Sequence, residues 1–158
     1  MRTLLWLLLP LALAAVQARL PTLGWAGGLR LELLPCLVAY GALAWRRPGT
    51  ALLYAALAGL AQDALSAAPF GLSLLGYGTG VLVVIWLRRW LDRDLPWVQM
   101  LAGAAVAGVN AALAALAVGL TAGGAARACC LLLLGGALTP FVVLGARALR
   151  AGLEVEAR

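Results

Sequence analysis

The 158-residue chain contains no histidine and no lysine, and only six acidic residues. Without histidine there is no imidazole base, no Ser–His or Cys–His nucleophile and no histidine metal site. Without lysine, Ser66 and Ser73 have no amine to activate them either, so an intramembrane protease is a remote reading. Cysteine is scarce: Cys36, Cys129 and Cys130 lie in apolar runs with no CxxC or other zinc spacing. They read as small buried apolar residues, and the adjacent pair points in different directions on a helix, against a disulfide. Gly76, Gly78 and Gly80 form neither a Walker A nor a GxGxxG pattern and follow no strand, so no nucleotide cradle is implied. No metal and no cofactor are expected.

What fills the chain is hydrocarbon. It is 65% apolar, with 19 glycines besides, and 11% charged, where a soluble domain is about 45–50% apolar with glycine included and about 25% charged. So few polar residues cannot cover the surface of a chain this small, which excludes a soluble globular monomer, and disorder needs low hydrophobicity. The net charge of +6 comes entirely from arginine. These arginines punctuate apolar segments instead of gathering on a polar face, which argues for membrane topology and against nucleic acid.

Spanning helices need about 17–25 apolar residues. The chain offers six candidates, at about Thr3–Ala18, Leu33–Trp45, Thr50–Ser66, Phe70–Leu87, Trp97–Leu120 and Ala128–Leu149. Pro21, Pro48, Pro69 and Pro96 fall in the gaps; Pro35 sits in an opening turn, and Pro10 and Pro140 are expected kinks. With the N-terminus inside, nine arginines lie on the cytoplasmic side (2, 46, 47, 88, 89, 93, 147, 150, 158) and three outside (19, 30, 127). Trp45, Trp86, Trp90 and Trp97 lie beside the inner boundaries, where amphipathic rings prefer to sit. The expectation is an all-α, polytopic membrane protein. Six transmembrane helices form a compact bundle with both termini cytoplasmic. Residues 1–158 make a single transmembrane domain with a short exposed tail at about 150–158. The first segment also has signal-peptide features, ending Val16-Gln17-Ala18, but is read as retained. Residues Leu20–Glu32, with Trp25, read as a loop or as an interfacial or re-entrant helix.

Few polar residues fall inside these segments. Asp63 ranks first, because an intramembrane carboxylate is a functional hypothesis by default. Its place near the outer end of the third segment, just before Ala67-Ala68-Pro69-Phe70-Gly71, favours a structural reading in which it accepts backbone or hydroxyl hydrogen bonds and fixes the helical hairpin. Contact with a partner or ligand is the second reading. Proton transport lacks the further titratable partners a relay needs. Gln62 shares the first two readings. Asn110 and Gln99 suit interhelical hydrogen bonds, and Glu32 suits a local pair with Arg30. Gly59 with Ala55, Gly76 with Gly80, and Gly108 with Ala104 are small-xxx-small pairs that let helices approach closely.

The stretch Gly59-Leu60-Ala61-Gln62-Asp63, then Pro69-Phe70-Gly71-Leu72, then Tyr77 and Gly80, resembles the rod shape-determining protein MreD family. In that family a Gly-Leu-x-x-Asp signature closes one helix and a Pro-x-Gly turn opens the next. The resemblance extends upstream through Pro35 and Tyr40 to the Arg46–Gly49 loop, covering roughly residues 30–95; elsewhere only length and hydropathy agree. One departure is the entry to the second span, where the family commonly has an acidic residue after a proline and here Glu32 precedes Pro35. The resemblance implies a non-enzymatic component of the bacterial inner membrane that serves the elongasome in cell-shape-determining peptidoglycan synthesis. Its direct partner would be MreC, and through MreC the MreB filament, RodA and the elongation transpeptidase. The implied fold is similar to substrate-binding S-components of energy-coupling-factor importers.

The expected mechanism is scaffolding, with the bundle offering a lipid-facing groove to a partner's single transmembrane helix and the turn from Asp63 to Gly71 meeting its extracytoplasmic part. The alternative is an S-component of a vitamin importer. Such subunits resemble one another in an alanine pair, four apart, near the cytoplasmic end of the first helix. Here Thr3 to Pro10 contains no alanine, and Ala14 and Ala18 lie at the other end. A vitamin site would also gather polar or aromatic groups in one pocket, and the outer halves offer few.

Overall fold

A computed structural model of the chain describes residues 2–19, 32–66, 70–119 and 122–155, with the side chains of 2–7, 18, 118, 122–124, 127 and 150–155 excepted. Six helices and, among the described residues, no strand make up the fold: α1 (Arg2–Arg19), α2 (Leu34–Ala44), α3 (Pro48–Leu65), α4 (Leu72–Leu87), α5 (Pro96–Val118) and α6 (Ala122–Val155). The all-helical expectation is met. The stretch read as a loop or interfacial helix (Leu20–Leu31, with Trp25 and Arg30), Pro21, Pro69 and residues 156–158 lie outside the described residues.

Proline placement explains several helix starts. Pro48 and Pro96 are the first residues of α3 and α5, and Pro35 is the second of α2. There a missing N–H removes a donor that would have no partner within the helix. Pro48 and Pro96 thus open helices instead of lying in the gaps. Pro10 and Pro140 lie inside α1 and α6, which continue through them.

Among the described residues, only two stretches are both long and apolar enough to cross a membrane, Pro96–Ala117 and Ala128–Leu149, each of 22 residues. The helix containing the second runs for 34 residues in all, about 50 Å at about 1.5 Å per residue. At 11 residues α2 is the shortest, about 16 Å long.

That short helix is the middle of the molecule. Ten of its residues, Leu34 to Leu43, are buried, and it touches each of the other five helices. A helix that is apolar all round has no face for solvent, and the interior is its stable place. Around it, Leu34, Val38, Ala39 and Ala42 pack with Ala14, Ala55, Ala58, Tyr77, Val81 and Val106 into the main core. Tyr40 joins Val143 and Ala146 of α6 in a smaller cluster.

Small residues set the helix spacing. A Cβ at Gly59 would lie 2.5 Å from Leu74 Cα; at Gly76, 2.9 Å from Asn110 Cα; and at Gly80, 2.9 Å from Val106 Cα. These glycines therefore pin α3 to α4 and α4 to α5. Gly108 is looser, since its Cβ would meet only the flexible tip of Leu132, at 3.0 Å. The tightest seam joins α5 and α6: a Cβ at Gly103 would overlap Thr139 Oγ1 and lie 2.6 Å from the Gly135 carbonyl, and one at Gly135 would lie 2.6 Å from Ala107 Cβ.

The cysteines divide. Cys36 is buried, its thiol 3.5 Å from the Gly135 carbonyl, whereas Cys129 and Cys130 are exposed and unpaired. The expectation that all three are buried fails for the last two, because α6 packs along one side only and this turn faces outward.

Candidate functional site

The helices alternate in direction, which collects their ends into two groups. Gln17, Leu33, Gln62, Asp63 and Gly71 meet at one end; Trp45, Arg46, Arg88, Asp94 and Arg147 lie at the other.

Asp63 closes α3 and opens α4. The residue is 4% exposed, and both side-chain oxygens accept from the backbone across the turn. The N–H of Gly71 donates to Oδ2 at 2.8 Å, that of Ser73 to Oδ1 at 3.0 Å and that of Leu74 to Oδ2 at 3.4 Å. The first N–H groups of a helix have no partner within it, and the helix dipole favours negative charge there. One carboxylate thus serves as the cap of α4, which has no capping side chain of its own. Gly71 makes the turn possible: its φ is +94°, a left-handed conformation that costs other L-residues about 1–2 kcal/mol. Pro69 lies outside the described residues, while neighbouring Phe70 projects outward, 75% exposed.

Gln62 does not face the turn. Its Oε1 accepts from Gln17 Nε2 at 3.4 Å, and Gln17 Oε1 in turn accepts from the backbone N–H of Leu33 at 3.0 Å and Leu34 at 3.3 Å. Gln17 therefore caps α2 from α1, as Asp63 caps α4 from α3. Sequence reasoning missed this role; the available signal was a lone amide near the end of an apolar helix. Glu32 is half-buried beside this capped entry, and loss of water holds its carboxyl above the ordinary carboxylate range.

The other polar candidates depart from interhelical bonding. Gln99 reaches back to the carbonyls of Arg93 and Asp94, at 3.4 and 3.5 Å, and so ties down the turn before its own helix. Asn110 is buried against Gly76, and its Oδ1 accepts no hydrogen bond.

At the opposite end the chemistry is reversed. The Arg88 guanidinium donates to the carbonyls of Ala42 at 2.8 Å, Trp45 at 2.6 Å and Arg46 at 3.1 Å, closing the C-terminus of α2. Arg147 pairs with Asp94 at 2.7 Å, both well exposed. Trp45 rests edge-on against Tyr54, ring centroids 4.7 Å apart.

Among the described residues no three metal-ligating side chains converge. The Asp63 oxygens are already engaged by backbone donors, so the arrangement ties the start of α4 to the end of α3. No protein-family model, curated protein or solved structure matches the chain. The fold accordingly rests on the geometry above, and the MreD resemblance on the residues that carry it.

Proposed function

We propose that the chain is a non-enzymatic, multi-pass protein of a bacterial inner membrane that acts as an elongasome scaffold, binding MreC directly and MreB, RodA and the transpeptidase through it. The observation that carries the membrane part is the outward apolar surface. Leu53, Leu75, Leu82, Leu133, Phe141 and Leu144 are each more than half exposed and come from α3, α4 and α6. Water does not tolerate so wide an apolar surface, and lipid does. In this reading all six helices cross with both chain ends inside. At 18 residues α1 and α3 meet the length requirement. Shielded on every side, α2 need not match the bilayer thickness. Exposed Trp86, Trp90 and Trp97 then stand at headgroup depth beside the arginines.

The partner comes from the resemblance, and the geometry supports a particular contact. Asp63 is enclosed and engaged, so its replacement tests the hairpin and not the interface. Among the described residues of the turn, Phe70 is exposed and free to meet a partner. Phe70→Ser is expected to leave the amount of membrane-inserted protein unchanged while lowering co-purified MreC about tenfold, the scale of an aromatic anchor. Equal recovery would remove the turn from the interface, and no MreC with the unaltered chain would remove the family reading. The importer alternative predicts tight vitamin binding by isothermal titration, which would displace the scaffold.

A further inference from the structure

At the arginine end, the connection between α4 and α5 folds over the start of α3 and leaves a cleft of about 580 Å³, a volume suited to a small ligand. Arg46, Arg88, Arg89 and Arg93 line it together with a single acid, Asp92. Arg88 is fixed by its three carbonyl partners. The other acid of this connection, Asp94, is engaged by Arg147 outside the cleft, and Asp92 accepts the N–H of Asp94 at 3.2 Å. Among the described residues, none of Arg46, Arg89 and Arg93 has an ion-pair partner. Burial, and then the charges of Arg93 and Arg89, make the Arg88 proton easier to lose than usual, as expected where like charges crowd. Pro48, Ile85 and Leu91 complete the lining.

We infer that this cleft binds the phosphodiester headgroup of an anionic phospholipid. Several guanidiniums converging on one space suit phosphate oxygens, for which planar arginine donors are matched in geometry. A free phosphate would make no use of Ile85 and Leu91, whereas the glycerol and first acyl carbons of a lipid cover them. Exposed Trp86 and Trp90 flank the cleft in sequence, and basic pockets between helices at a cytoplasmic boundary take such headgroups. The lipid source rests on the membrane reading above; it does not rest on MreC.

The test is native mass spectrometry of the detergent-purified full chain with added phosphatidylglycerol or phosphatidylcholine. Phosphatidylglycerol is retained selectively by the unaltered protein. The double variant Arg89→Gln/Arg93→Gln, which spares the structural Arg88, loses roughly 30-fold of that retention. Arg19→Gln/Arg47→Gln removes the same charge outside the cleft and leaves retention unchanged. Equal loss in both variants, or none in the first, overturns the site. Displacement of the lipid by inorganic phosphate at equal concentration overturns the lipid assignment in favour of a soluble anion. Carbonate washing of membranes separates the two readings: extraction of the chain defeats membrane insertion, whereas a carbonate-resistant chain without lipid selectivity defeats the cleft alone.

Discussion

The two ends of the bundle solve the same problem with opposite chemistry. Where α2 and α4 begin, unpaired N–H groups face inward, and the chain supplies acceptors, Gln17 and Asp63. Where α2 stops, carbonyls are left over, and the chain supplies a donor, Arg88. The helices that begin at the arginine end, α3 and α5, start with proline, which lowers the number of N–H groups to satisfy, and no acid caps either of them. The asymmetry of charge along the molecule is thus partly an asymmetry of helix ends. It follows from which backbone groups are exposed at each end; in the proposed membrane reading, retention of arginines on one side adds to it.

Four substitutions probe this contrast. Asp63→Ala has the largest expected effect, about 2–4 kcal/mol of unfolding stability in detergent, because three backbone donors lose a buried charged acceptor at once. Asp63→Asn keeps one carbonyl oxygen and restores part of that loss. Arg88→Gln is expected to cost about 1–2 kcal/mol by thermal or denaturant unfolding, since water reaches the freed carbonyls more readily at that end. A larger loss from Arg88→Gln than from Asp63→Ala would reverse the contrast. Arg147→Ala, which removes an exposed ion pair, is expected to change stability by less than about 1 kcal/mol, and high salt should abolish the difference. A clear loss that persists in salt would make the arginine end as dependent on side-chain pairing as the capped end.

Much of the fold was legible from composition and proline spacing: all-helical character, six segments and their alternation all follow from apolar runs and their breaks. The Asp63 hairpin was legible because its partners lie only eight to eleven residues away. The roles of Gln17 and Arg88 were not. Arg88 meets carbonyls 42 to 46 residues distant, and Gln17 meets its capped N–H groups across 16 and 17 residues and Gln62 across 45. No local pattern encodes such meetings; the packing of α2 among its neighbours creates them. Exposure was equally hidden. An apolar helix packed on one side has the same composition as one packed all round, so Cys129 and Cys130 read like Cys36. The seam of Gly103 and Gly135 escaped notice because its two glycines lie on different helices, where spacing within one segment carries no signal.

The enclosure of α2 bears on how the protein is assembled. Cutting the chain after Ala44 or before Leu34 would leave two fragments that each miss part of the one shared interior, because the severed piece contributes to contacts with every other helix. In a chain made in order, the interior that α2 shares with α5 and α6 closes only once those two helices are in place. A product truncated before α5 would leave that side of α2 uncovered.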